Sequence, residues 1–173
     1  TVWNGICPTY VPTISNVKES LVRMVSDGVR NSDRRAIWVS ISDSGTLKNT
    51  IEPFLRESNK NESNIVLCDR YYYSTIAFQG AQGLNIKELI AKNSAFRKPD
   101  VTFILDVEPS IALKRIKYRK KEKFEQLNFM KKIRENFLNM PKLLSDNIKI
   151  IDSSETLNKV FEDVKKEVNK FLV

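Results

Sequence analysis

The sequence predicts a single doubly wound α/β domain, a parallel sheet of about five strands with helices on both faces. Three observations carry that expectation. Short apolar runs alternate with amphipathic stretches along the whole chain. Each apolar run stops at a turn-forming or charged residue. No run is long enough to span a bilayer, and nothing repeats or divides the 173 residues into two parts. Strands spaced by helices make right-handed crossovers, so the strands lie parallel.

Taken in order, Val2 to Ile6 reads as a short strand and Val17 to Val29 as a helix with Leu21, Met24 and Val25 on one face. AIWVSI (36–41) is the next strand, closed by the Ser-Asp-Ser-Gly turn at 42–45. Thr46 to Glu57 reads as a short helix, and the polar SNKNES run (58–63) as a loop. NIVLCDR (64–70) has the pattern of a strand buried on both faces. Tyr72 to Ala81 and Ile86 to Asn93 look helical, with Gly83 between them. VTFILDV (101–107) is the strongest strand, and Pro109 stands where a helix favours proline. A long amphipathic helix follows from about Phe124 to Leu144. IKIID (148–152) and Glu155 to Leu172 are the last strand and helix. Ligands of such sheets bind beyond the carboxyl ends of the strands, here just after Ile6, Ile41, Leu67, Val107 and Ile151.

Composition narrows the chemistry. The chain has 41% hydrophobic and 29% charged residues, a globular balance. Its net charge of +8 suits anionic partners, or simply a solubilising surface. Without a single histidine, Ser-His and Cys-His catalysis are excluded, and no metal site is expected. Two cysteines, Cys7 and Cys68, and the lack of a basic-then-apolar leader pattern predict a cytoplasmic protein without disulfides.

Two stretches carry a recognisable pattern, NIVLCDRYYYSTIAFQGAQGL (64–84) and KPDVTFILDVEPSIALKRI (98–116). With KFEQLNFMKKIRENF and the closing IKIIDSSETLNKVFEDV they resemble thymidylate kinases over about residues 51 to 172. The resemblance implies a P-loop nucleoside monophosphate kinase fold, usually a homodimer, in which ATP and magnesium phosphorylate dTMP. It places Arg70 on the dTMP phosphate, Asp69 beside the magnesium and phosphates, and Ser74, Phe78 and Gln79 along the nucleoside pocket. It also makes the basic segment 113–124, with Arg115, Arg119, Lys120, Lys121 and Lys123, a lid over ATP. If the chain is active, Asp69 and Arg70 are its catalytic candidates, and ATP and Mg2+ its cofactors.

The residues themselves agree in part. Arg70 at a strand's carboxyl end offers a planar fork suited to phosphate, although Asp69 and Arg70 could instead form a surface ion pair. Tyr71, Tyr72 and Tyr73 could stack on a base; aromatic residues at a strand–helix junction are more often core.

The opening TVWNGICPTYVPT fits the family's strand and phosphate loop at Val2, Trp3, Gly5 and Ile6, and then departs. Pro8 and Tyr10 stand where glycines would be, Val11 where the lysine would be, and Pro12 where a hydroxyl would hold magnesium. Prolines offer no N–H, and the lost lysine removes the charge on the transferring phosphoryl group. The other alignment treats these residues as unrelated to the loop. The family's Phe-Ala-Ala-Asp-Arg helix has no counterpart near 42–45.

The resulting expectation is a thymidylate-kinase-like protein with a degenerated phosphate loop, a pseudoenzyme acting by binding, with no tight ATP site at 6–13. An active dTMP kinase with an atypical ATP site is the alternative, and a basic nucleic-acid-binding or scaffold subunit the second. A homodimer, or a heteromer with an active paralogue, would use the helices at 74–82 and 86–93. The basic stretch 114–134 is a solvated face or a contact for nucleic acid or another polyanion; Lys131, Lys132 and Arg134 would extend it. Cys7 and Cys68 are expected near one another, because the first and third strands should be neighbours.

Overall fold

The structure, a computed structural model, describes residues 36–40, 49, 51–56, 64–115 and 127–172; for 36–40, 69, 171 and 172 it describes the backbone alone. The described elements run β1 (Ala36–Ser40), α1 (Glu52–Arg56), β2 (Ile65–Asp69), α2 (Tyr72–Ala81), α3 (Ile86–Asn93), β3 (Thr102–Asp106), α4 (Pro109–Arg115), α5 (Leu127–Leu143), β4 (Ile148–Asp152) and α6 (Leu157–Leu172). Strand and helix alternate as the periodicity predicts, and Pro109 is the first residue of α4.

Among the described residues the strands form two parallel pairs rather than one continuous sheet. β1 lies beside β2 with Trp38 opposite Leu67, and β3 lies beside β4 with Ile104 opposite Ile150. The expected strand at Val2 to Ile6, and with it Cys7, lies outside the described residues. The two pairs nevertheless belong to one layer, because β2 and β3 share a core on each face. On one side Val66 and Cys68 of β2 and Ile104 of β3 pack with Tyr73, Ile76 and Ala77 of α2 and Ile133, Phe137 and Met140 of α5. On the other, Ile65 and Leu67 meet Phe103, Leu105 and the Val160, Val164, Val168 stripe of α6.

That double burial explains why these strands read as continuous apolar runs instead of alternating ones. The valine stripe recurs every four residues and so follows one helix face. Met130, Ile133, Phe137 and Met140 do the same for α5. Helices therefore cover both faces, as the sequence predicts.

Between α2 and α3 the chain turns at Gly83, whose φ of +102° is a conformation side chains rarely adopt. Asn85 then caps α3, its Oδ1 accepting the Lys87 and Glu88 N–H groups at 2.9 and 3.4 Å. The carboxyl ends of β3 and β4 are tied by Ser153, whose N–H and Oγ both donate to the Asp106 carbonyl at 2.7 Å.

Candidate functional site

The site begins where β2 hands over to α2. Cys68 is fully buried, Asp69 is the last residue of the strand, and Arg70 is exposed. Arg70 takes a φ of +68°, which makes it the one non-glycine residue at positive φ among the described residues. Arginine in that region costs of order 1–2 kcal/mol. Such strain persists where the surroundings enforce it, and it clusters at functional sites. Tyr71 follows in extended conformation and precedes α2 without a side-chain cap. The handover is therefore a sharp turn that lifts the Arg70 side chain off the apolar layer.

Nearly two turns into α2, Phe78 presents its ring to this corner. The Arg70 guanidinium carbon lies 5.8 Å from the ring centroid, within cation–π range, and Phe78 itself leans edge-on against Phe129 of α5. Ser74 lies four residues before Phe78 and so on the same helix face. Its Oγ is buried and has no hydrogen-bond partner among the described residues. A buried hydroxyl without a partner is costly. Gln79 is half-buried on the adjoining position. Arg70 and Phe78 thus come together, and Ser74 shares the helix face of Phe78 by its spacing. Of Asp69 only the backbone is described; it pairs with Ser40.

The tyrosines turn out to be core. Tyr71, Tyr72 and Tyr73 are all buried, and their hydroxyls are spent inside the protein. Tyr71 donates to the Arg97 carbonyl at 3.1 Å, and Tyr73 to Asp146 Oδ2 at 2.7 Å, which Tyr72 also approaches. Burial pushes all three phenols up. Burial also pushes the Cys68 thiol up, to about 12.

Of the lid cations, Arg119, Lys120, Lys121 and Lys123 lie outside the described residues, as does the 6–13 stretch. Arg115 is described, and its guanidinium donates to the carbonyls of Ser153 and Ser154, both at 2.9 Å. It fastens the last turn of α4 to the loop after β4. Lys131 and Lys132 are exposed, as a basic face requires. Arg134 corrects the expected extension of that face. Its Nε and Nη2 donate to Asp106 at 2.7 and 3.0 Å, and Nη1 reaches Glu108. Its planar fork is matched by carboxylates, which leaves little charge for a polyanion.

The Arg134–Asp106–Glu108 junction went unnoticed in the sequence, although two strands ending Leu-Asp and Ile-Asp mark their carboxyl ends. Asp152, the second of these, accepts from the hydroxyl and N–H of Ser154 at 2.6 and 2.8 Å, which holds its carboxyl below the usual range. Among the described residues no group of three His, Cys, Asp or Glu gathers as a metal site would, and no helix is long and apolar enough to cross a membrane.

An exposed strand-end arginine beside an aromatic of the following helix lies where doubly wound α/β proteins bind their ligands, beyond the carboxyl ends of the strands. Residues 12–164 match the family model for thymidylate kinase, and the chain belongs to that family, which has the P-loop nucleoside monophosphate kinase type of α/β fold. It is 38% identical over 131 residues to a probable thymidylate kinase of Staphylothermus marinus, covering 73% of this chain and 61% of that protein. It is 40% identical over 118 residues to a probable thymidylate kinase of Pyrobaculum calidifontis, covering 68% and 58%. A thymidylate kinase of Leuconostoc mesenteroides aligns over 168 residues at 30% identity, covering 92% and 76%. The chain spans about three fifths of the length of the first two. The family match begins at residue 12, so the reading of Pro8, Tyr10 and Val11 as an altered phosphate loop rests on those residues alone.

Proposed function

We propose that this chain binds a thymidine-type nucleoside monophosphate with its phosphate on Arg70, as the acceptor half of a thymidylate kinase. The observation that carries the reading is the strained, exposed Arg70, held over Phe78 and committed to no carboxylate among the described residues. A guanidinium in that position is available for a bidentate, charge-assisted bond to phosphate. The unpartnered Ser74 hydroxyl supports the same placement, because it lies on the face of α2 that the nucleoside would cover. The relatives named as thymidylate kinases, and the resemblance described above, support dTMP as the acceptor and ATP with magnesium as the donor. Within that reaction Arg70 would orient the acceptor phosphate and neutralise its charge, so that two anions can approach each other.

A second reading, binding without phosphoryl transfer, is favoured by one observation, the Pro8, Tyr10, Val11, Pro12 sequence in place of a glycine-rich loop and its lysine. Two measurements separate them. Isothermal titration with dTMP tests the corner, and micromolar binding that collapses in Arg70→Ala is expected. A coupled assay with dTMP, ATP and magnesium then tests transfer. Turnover removes the binding-only reading; binding without turnover removes the kinase reading. Absence of dTMP binding removes both.

A further inference from the structure

The strained turn at Arg70 has a fixed end on either side. Before it, Cys68 is fully buried and Asp69 still pairs with Ser40 in the β1–β2 ladder. After it, Tyr71 is extended, and its carbonyl already accepts the Ser74 N–H at 3.0 Å as α2 begins. One residue is left to join a set strand end to a set helix start, and it takes a φ of +68°. A conformation of this kind lasts only where the surroundings over-determine it.

The helix start is held by a row of hydroxyls. Tyr71, Tyr72 and Tyr73 reach to the segments that lead into β3 and β4. Tyr71 donates to the Arg97 carbonyl at 3.1 Å, Tyr73 donates to Asp146 Oδ2 at 2.7 Å, and Tyr72 donates to the same oxygen. Those two segments are themselves joined. Lys98 Nζ donates to Ser145 Oγ at 2.6 Å and pairs with Asp146 Oδ1 at 3.3 Å, and Asn147 Nδ2 donates to the Asp100 carbonyl at 3.0 Å. The Asp146 side chain is 2% exposed, so this carboxylate is a buried, charge-balanced anchor. Hydrogen bonds to a charged acceptor are about twice as strong as neutral ones. Packing alone would be served by phenylalanine, which buries the same ring and leaves no hydroxyl to satisfy.

We propose that Asp146 is a positioning residue for Arg70. It clamps the first turn of α2 through Tyr72 and Tyr73, and the clamp enforces the positive φ that sets the guanidinium beside Phe78. The functional half of this role rests on the reading of Arg70 as the partner of the acceptor phosphate; the conformational half does not. The test variant is Tyr72→Phe with Tyr73→Phe, which keeps both rings and removes both hydroxyls. Asp146→Ala removes the acceptor instead and should give the same results. Urea midpoints of Arg70→Gly and Arg70→Ala are compared with and without the clamp. With it, glycine should be the more stable, because the turn is strained; without it, that difference should vanish. A tyrosine–aspartate cluster that only supports the core would lower both midpoints equally and leave the difference intact, which would overturn the clamp. No difference in the unaltered background would overturn it too. Isothermal titration with dTMP and with thymidine, which lacks the phosphate, gives the second readout. Loss of the clamp should bring the thymidine-to-dTMP ratio of dissociation constants to within about threefold of that in Arg70→Ala, with thymidine affinity held within about twofold. A ratio unchanged from the unaltered chain would overturn the positioning role. If the unaltered chain binds no dTMP, the phosphate reading of Arg70 falls, and the midpoint comparison still decides the clamp. Should neither variant fold, Tyr73→Phe alone removes one of the two bonds and should shrink the glycine–alanine difference; an undiminished difference there would overturn the clamp.

Discussion

Arg70 and Arg134 belong to the same carboxyl-end architecture and have opposite fates. Arg134 leaves the middle of α5 and is saturated by Asp106 and Glu108. Arg70 leaves a strained turn, is exposed, and meets only an aromatic face among the described residues. The first arginine joins the end of β3 to a helix. The second is left with its fork available. An arginine at a strand end is therefore not in itself a phosphate site; what surrounds it decides. The contrast also separates two kinds of cost. Arg134 has desolvation offset by permanent partners, while Arg70 carries backbone strain that the surrounding fold must enforce.

The largest effect should come from the free arginine. Arg70→Ala removes charge-assisted hydrogen bonds worth roughly 1.5–3 kcal/mol, so the dTMP dissociation constant should rise about ten- to a hundredfold. Thermal stability should barely change. A titration showing unaltered affinity would make Arg70 as structural as Arg134 and break the comparison. Arg134→Met should behave in the opposite way. With Asp106 left partly buried and unpaired, unfolding free energy should fall by about 1–2 kcal/mol in urea, since both partners retain some solvent screening. The dTMP affinity of the folded fraction should stay within about twofold.

How much of this was legible in the sequence follows from the same physics. Strands buried on both faces announce themselves, as IVLCD and TFILD do, because burial demands apolar side chains at every position. The α6 stripe of Val160, Val164 and Val168 was legible for a similar reason, since one helix face repeats every three to four residues. Arg70, Ser74, Phe78 and Gln79 were singled out through resemblance; the structure puts the Arg70 guanidinium beside the Phe78 ring, and their binding role is a proposal. The role of Arg134 was hidden because its partners lie 26 and 28 residues away and no local pattern encodes a pairing at that range. Asp146 was hidden still better, its tyrosine partners being 73 and 74 residues upstream. Lys131 and Arg134 look alike in a charge count; only the fold shows one in solvent and the other paired.

A smaller effect isolates the strain. Arg70→Gly should lose dTMP affinity as Arg70→Ala does, yet gain stability or hold it. Glycine removes the 1–2 kcal/mol cost of positive φ and returns about 0.5–1 kcal/mol of that as unfolded-state entropy. The net gain should be of order 0.5 kcal/mol, read as a small rise in urea midpoint over Arg70→Ala. A midpoint below that of Arg70→Ala would mean the turn is not strained.

The smallest effect tests how abruptly the dry strand becomes the wet corner. Cys68 stands two residues before Arg70, yet it is fully buried, and burial raises its thiol from 9.0 to about 12. The unfolded chain therefore releases this proton near pH 9, while the folded chain keeps it. Above pH 9 unfolding liberates a proton, so the contribution is fully present below that value and is lost as pH rises toward 12. Between pH 8 and 9.5 the loss from the thiol should be about 0.5–1 kcal/mol, beside a smaller one from the three buried tyrosines that the comparison below cancels. Cys68→Val keeps the apolar packing with Val66 and Ile104 and removes the proton. Its urea-unfolding free energy should hence fall less over that interval than that of the unaltered chain, by about the same 0.5–1 kcal/mol. Identical pH slopes for the two would show that water reaches the thiol. The boundary between structural strand and binding corner would then lie before Cys68 rather than at Asp69.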